Sequence, residues 1–225
     1  MYTFHMDLYH IFNRGVEKKD IVNDDNDRMR FVRSLYLFND VNPAPNSISQ
    51  LKQCNELRKR ECLVHIHAWC LMNNHYHLLL SPTNDDTTTI SKFMKKLGMG
   101  YAKFFNEKYG RSGHLWQGKF KRVHVENDSQ LIYIPYYIHL NPLDYTMPKW
   151  RIGGINDTMQ AFENLKRYRW SSYNDYQNIP NFVSVINKSF LQGFLGNVST
   201  QNKQIKNIIS VDNQQHTISS NSLEN

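Results

Sequence analysis

Two groups of residues in this chain have types and spacing suited to joint chemistry. The first is His75-Tyr76-His77; the second is Tyr133, Tyr137 and Asn141, each four apart. Side chains alternate faces along a strand, so His75 and His77 share one face of a strand. Two imidazoles on a rigid face can grip one divalent metal, and they need a third ligand from elsewhere. Spacing of four puts Tyr133, Tyr137 and Asn141 on one face of a helix, with Tyr136 rotated by about 100°. A helix laid across the histidine strand would offer the metal an amide oxygen and a phenol. A tyrosine is a weak nucleophile at neutral pH, with an ordinary pKa near about 10. It attacks a phosphodiester only if the phosphate is positioned and its developing charge is met, and a metal does both. A lone His-x-His is more often a pair of ordinary strand histidines; the tyrosine-bearing helix raises the odds here.

The positioning elements follow from local pattern. His65–Pro82 reads as two strands joined at Asn73-Asn74, because Asn tolerates the left-handed backbone of a tight turn. That register pairs Met72 with His75 and Cys70 with His77. It turns Tyr76, Leu78 and Leu80 to the other face, and it puts His65 and His67 on the face opposite His75 and His77, as structural or nucleic-acid-facing residues. Leu8–Gly15 reads as a first strand whose polar end, Asn13-Arg14-Gly15, suits a functional loop. Helical periodicity covers Asp27–Phe38. Ser49–Glu61 reads as an exposed helix inserted before the hairpin, with Lys59 and Arg60 on a solvated face. Thr87–Thr89 can cap a long helix that Gly110 closes, with Ile90, Phe93, Met94, Leu97, Tyr101, Phe104 and Phe105 as its stripe. Gly98 and Gly100 weaken its middle. Leu115–Val125 alternates like a strand. Asp128 or Ser129 caps a helix toward Asn141, with Pro142 stopping it and Pro135 kinking it or delaying its start. Ile155–Gln177 reads as an amphipathic helix, continuous or broken, with Met159, Phe162, Leu165 and Tyr168 on one side. Asn178–Leu195 reads as short and irregular, and the polar stretch from Asn197 as disordered.

Composition narrows the partner. The chain has 225 residues and a net charge of +7, a balance that suits a polyanion. Lys92–Arg122 carries nine Lys or Arg and one acid, Glu107. That asymmetry exceeds a typical solvated face, so Lys92, Lys95, Lys96, Lys103, Lys119, Lys121 and Arg122 are read as phosphate-contacting, with Arg14, the candidates for binding a nucleic acid. No apolar run approaches the about 20 residues of a membrane span. Cys54, Cys62 and Cys70 form neither a disulfide framework nor a zinc motif, and a reducing cytoplasm is the default.

His75-Tyr-His77 resembles the HUH motif of single-strand DNA nucleases and transposases. Tyr137-Ile-His-Leu-Asn141-Pro142 resembles the tyrosine motif of single-tyrosine, IS200-like transposases. Tyr9-His-Ile-Phe-Asn-Arg-Gly15, Leu115-Trp-Gln117 and Tyr168-Arg-Trp-Ser-Ser-Tyr173 resemble the REP-associated tyrosine transposases. The resemblance spans roughly Tyr9 to Tyr176. It implies an α/β (α+β) fold: a ferredoxin-like antiparallel sheet with packed helices, the HUH motif on a central strand and the tyrosine on a helix. It also implies Mg²⁺ or Mn²⁺ held by His75 and His77 with Asn141 completing the site, and Tyr137 as nucleophile. The implied partner is single-stranded DNA with a hairpin, with a homodimer allowed. Pro135, Tyr136 in place of a basic residue, and the insertion depart from the pattern.

The domain reading is therefore 1–178 for the transposase domain with an insertion at about 40–61, 179–196 for a C-terminal extension and 197–225 for a disordered tail. Two other classes fit some of the residues. A DNA-hairpin-binding regulator without chemistry would use the same basic helix and aromatics. A hydrolase built on the four hairpin histidines lacks the aspartate beside them that His-x-His-x-Asp-His enzymes carry.

Overall fold

A computed structural model of the chain describes residues 7–43 and 60–210. Most of the insertion and the last fifteen positions lie outside them. Four strands form one sheet: β1 (Tyr9–Arg14), β2 (Val64–Leu71), β3 (His75–Pro82) and β4 (Lys121–His124), in the order β2-β3-β1-β4 and all antiparallel. With α1 (Asp25–Leu37) after β1 and α2 (Thr88–Tyr109) after β3, this is the expected ferredoxin-like α/β arrangement. α3 (Asp128–Leu140) crosses the other face. Short helices follow: α4 (Leu143–Thr146), α5 (Trp150–Gly153), α6 (Thr158–Arg167), α7 (Tyr173–Tyr176), α8 (Ser189–Leu195) and α9 (Val198–Ile209).

Alternation along the strands divides the interior into two cores. One takes Tyr76, Leu78 and Leu80 of β3 with Phe31 and Leu35 of α1 and Phe93 and Leu97 of α2. The other takes Leu79 with Cys70, Ile134, Tyr137 and Ile138. Glycines allow close approach in the first core. A Cβ on Gly100 would stand 2.3 Å from Phe38 Cζ, and Trp116 donates to the Gly98 carbonyl at 2.9 Å. Thus the two glycines that weaken α2 locally let neighbours pack on it. A buried carboxylate ties α1 to α2: Asp27 accepts from Lys108 Nζ at 2.6 Å, Tyr109 Oη at 2.7 Å and the Asn23 amide at 2.8 Å.

Several sequence expectations change. Asp86, rather than a threonine side chain, serves the start of α2, accepting from the Thr88 amide at 2.9 Å. Asn127 caps α3 through the Gln130 amide, and α3 runs unbroken past Pro135. β4 is shorter than Leu115–Val125. Ile155–Gln177 separates into α6 and α7, with Met159 exposed. The stretch from Asn197, expected to be disordered, forms α9 up to Ile209. Asn197 caps it, Gln201, Ile205 and Ile209 recur every four residues as its buried stripe, and the Ile209 carbonyl accepts from the Ile155 amide at 2.6 Å. Tertiary burial of that narrow stripe outweighs its polar composition. Arg60, expected on a solvated face, stacks over Tyr36 at 3.4 Å and donates to the Tyr36 carbonyl. The rest of the expected Ser49–Glu61 helix lies outside the described residues, apart from Arg60 and Glu61.

The register prediction holds for Cys70 opposite His77, and Met72 donates to the His75 carbonyl at 2.8 Å, although neither Asn73 nor Asn74 takes the left-handed backbone expected of the turn. It fails for His65 and His67. The ladder shifts between Ile66 and Ala68, and such a bulge moves the residues beyond it to the other face. His65 then stands opposite Ser81, on the same face as His77. His67 Nε2 meets Ser81 Oγ at 2.8 Å and its Nδ1 meets the Asn187 carbonyl at 3.2 Å. These histidines fasten the C-terminal segment to the sheet.

Burial lowers the His67 pKa from 6.5 to about 4, with a smaller push from His65 and an opposing bond to Asn187. An unfolded chain therefore binds a proton that the native state refuses between those values. This contribution is intact above about pH 6.5 and falls as pH drops toward 4, by up to about 3 kcal/mol. Thermal melts from pH 7.5 to 4.5 should show a falling Tm, with a shallower fall for His67→Gln. Parallel pH profiles for the two proteins would contradict this role.

Candidate active site

β3 is a central strand, flanked by β2 and β1, and α3 packs on the face that carries His75 and His77. The two rings lie 5.1 Å apart with planes at 85°. Asn74, in the turn, contacts His75 Nδ1 through its Oδ1 at 2.6 Å and donates from Nδ2 to the Lys18 carbonyl at 3.1 Å. His77 is 2% exposed. Its Nδ1 shares a hydrogen bond with His10 Nε2 at 3.0 Å, while His77 Nε2 and His10 Nδ1 have no hydrogen-bond partner.

Both buried imidazoles are neutral at ordinary pH. Burial lowers His10 to about 3. Burial first, then His10, His75, Arg151 and Arg14, holds His77 well below its usual value. A neutral imidazole has one lone pair to give. If His77 donates Nδ1–H to His10, that lone pair sits on Nε2, the atom without a partner. Metal-binding histidines commonly have their second nitrogen fixed in this way.

Tyr137 of α3 is 1% exposed and lies edge-on to His77, with ring centres 5.4 Å apart at 86°. One turn on, fully buried Asn141 donates from Nδ2 to the Tyr137 carbonyl at 2.8 Å, and its Oδ1 accepts from Arg151 Nη2 at 3.3 Å. The Tyr133 ring is tilted against that of Tyr137, with centres 6.4 Å apart. Tyr136 points into the core, where burial raises its pKa to about 12. The sheet and one helix thus bring His75, His77, Tyr137 and Asn141 into one neighbourhood. Among the described residues no group of three or more His, Cys, Asp or Glu has metal-holding geometry; two histidines and an amide fall outside such a group.

A recess of about 200 Å³ opens beside the histidines, lined by Phe12, Asn13, Arg14, Lys18, Asn74, His75 and His77. Its rim is built tightly. A Cβ on Gly15 would stand 2.1 Å from the Lys19 carbonyl oxygen, and Glu17 and Lys18 both have positive φ, 55° and 60°. Two consecutive non-glycine residues in that region store strain, a feature often found at functional loops.

The predicted DNA-binding cations divide. Arg14 lines the recess. Lys121 pairs across the ladder with Phe12 and so shares the histidine face. Arg122 goes to the other face, over the Tyr9 ring at 3.7 Å, and Lys119 is exposed just before β4. The α2 lysines lie beyond the sheet from Tyr137, because α2 packs on the Tyr76 side. Lys96 is committed to the Asp40 and Asn42 carbonyls, Lys92 pairs with Asp86 and Lys103 with Glu107. Lys95 is exposed. The charge count from Lys92 to Arg122 therefore describes two surfaces and not one patch.

Sequence reading missed His10, Lys18, Asn74 and Arg151. His10 carried a signal: two residues before Phe12 on a strand pairing with β3, it had to share a face with it. Arg151 carried none, since an irregular stretch separates it from Asn141.

Residues 45–141 match the family model "Transposase IS200 like". No curated protein matches the chain. Among solved structures, one of a REP-associated tyrosine transposase bound to a REP hairpin aligns at 13% identity and TM-score 0.42, covering 78% of this chain and 81% of that one. A Deinococcus radiodurans protein described as a candidate transposase aligns at 15% identity and TM-score 0.35, covering 61% and 93%. The stretch matched by the family model carries both halves of the site, the His75–His77 strand and the Tyr137–Asn141 turn of helix, and over that stretch the chain is similar to the IS200-like transposases.

Proposed function

We propose that this chain is an IS200-like transposase, a metal-dependent single-strand DNA endonuclease and strand transferase that works through a 5′-phosphotyrosine on Tyr137. The observation that carries the reading is the buried, unpartnered His77 Nε2 on the face where Tyr137 packs. An unpaired buried polar atom is costly, and it marks a site made for something else. His75 and His77 would hold Mg²⁺ or Mn²⁺, with Asn141 Oδ1 as third donor once Arg151 releases it. When bound, the ion supplies Lewis-acid polarisation of the phosphate.

The chain's own residues do the rest. Arg14, Lys18 and Lys121 draw the DNA backbone to the histidine face. His10 keeps His77 in the tautomer with its lone pair on Nε2. Tyr137 Oη forms a bond to phosphorus while the P–O3′ bond breaks. The phenol proton leaves through solvent, and the departing 3′-oxygen gains one. Attack by a second 3′-hydroxyl reverses the step without ATP. A DNA-hairpin substrate, membership of the REP-associated group and a nucleoid-associated cytoplasmic location rest on the motif resemblance. Among the described residues no helix is long and apolar enough to cross a membrane. His77 and Tyr137 meet within one chain, so a homodimer is not needed to complete the site.

The near-complete burial of Tyr137 favours one other reading, a hairpin-binding regulator without chemistry. Single-stranded DNA flanking the gene, incubated with Mn²⁺, separates the two. Wild type should form a covalent protein–DNA adduct. His75→Ala and His77→Ala should lose it while keeping hairpin binding, and Tyr137→Phe should do the same. Adduct levels independent of Mn²⁺ and of both histidines would refute the metal site; binding with no adduct in wild type would favour the regulator.

Binding should also weaken with salt, by about 0.7 in log–log slope per phosphate contact on single strands. The triple variant Arg14→Ala, Lys18→Ala, Lys121→Ala should flatten that slope by about 2. The set Lys92→Ala, Lys95→Ala, Lys103→Ala should change it far less. The reverse ranking would put the DNA on the α2 surface.

A further inference from the structure

We propose that Arg151 is a further catalytic residue, a guanidinium that moves onto the scissile phosphate and meets its developing negative charge. This rests on the reading of Tyr137 as nucleophile. Arg151 stands on the four-residue helix α5, beyond the stop that Pro142 imposes on α3. Its position is nonetheless over-determined. Asp144 grips it side-on, with Nε–Oδ1 at 3.0 Å and Nη2–Oδ2 at 3.1 Å. The same Asp144 accepts from the indole of Trp150 at 2.6 Å, and the Trp150 ring lies 4.5 Å from the Arg151 guanidinium.

From that clamp the guanidinium reaches both residues of the tyrosine motif. Its Cζ lies 5.1 Å from the centre of the Tyr137 ring, and Nη2 contacts Asn141 Oδ1. Its field also acts on His77 and on Tyr133. A phosphate in contact with the Tyr137 hydroxyl would therefore lie beside a cation already oriented toward it. The side chain is 23% exposed, so its charge is less screened than that of a surface lysine.

A structural role alone accounts poorly for this placement. An Arg–Asp pair that merely held α5 to α4 has no need to bring its guanidinium to the nucleophile's ring and the motif amide. The in-line step concentrates charge on the non-bridging phosphate oxygens, and planar guanidinium matches such oxygens with paired donors. Arg151 stays protonated throughout, so it takes no part in the proton balance. Asp144 is its positioning residue. In the DNA-free protein Asn141 Oδ1 holds Arg151 in place. Transfer of Arg151 to phosphate would free that oxygen at the moment the metal site requires it.

The test is single-turnover adduct formation with Mn²⁺ and a single-stranded oligonucleotide, alongside its equilibrium binding and the Tm of each protein. Arg151→Gln should lower the rate about 100-fold, the usual scale for removing one preorganised charge-stabilising donor, with affinity changed less than about fivefold. Arg151→Lys keeps the charge without the planar fork and should react at least tenfold faster than Arg151→Gln. Equal rates for the Lys and Gln variants, or a Gln variant within threefold of wild type, would overturn the role of Arg151 and leave Tyr137 untouched. Absence of any wild-type adduct would overturn both. If Arg151→Gln does not fold, Arg151→Met supplies the neutral side of the comparison.

Discussion

The site depends on one constraint: β3 is covered on both faces, so neighbouring residues on it must serve different interiors. Tyr76 fills the core under α1 and α2, and His77, its neighbour, lies against α3. A polar ring in that position has no water to satisfy it. It is tolerated because His10, 67 residues away in sequence but adjacent in the sheet, takes one nitrogen. The other nitrogen has no hydrogen-bond partner. Packing that would ordinarily expel a histidine here holds a neutral imidazole beside a tyrosine.

The surrounding charges are graded to suit. Buried imidazoles near Tyr137 carry no charge at ordinary pH. Fixed positive charge comes from Arg151, held by Asp144, and from Arg14 at the recess. A phosphate approaching from solvent would meet cations first and neutral donors last. That order favours entry of DNA without placing a repelling charge on the atoms that would hold a divalent ion.

Features set by neighbouring residues were legible in the sequence. Asn73-Asn74 and the alternation around it placed His75 and His77 on one face. The spacing of four placed Tyr137 and Asn141 on one helix turn, and the burial of both agrees with it. What escaped depends on contacts distant in the chain. The bulge at His67 is visible only from the ladder it interrupts. The lysines of α2 looked like one patch with Lys119–Arg122 until the sheet came between them. The polar α9 has too narrow an apolar stripe to stand alone, and it exists because Ile205 and Ile209 find a core to enter. Arg151 reaches the site through a loop whose path no local pattern encodes.

We propose that α3 presents Tyr137, and neither of its neighbours, to the phosphate. Tyr136 faces the core, and Tyr133 lies a turn farther from Asn141, about 12 Å from it along the axis at about 1.5 Å per residue. The most direct measurement is peptide mapping of the trapped protein–DNA adduct by mass spectrometry. DNA on the peptide fragment ions that isolate Tyr137 is the predicted result. DNA on Tyr133 or Tyr136, or an undiminished adduct in Tyr137→Phe, would contradict it.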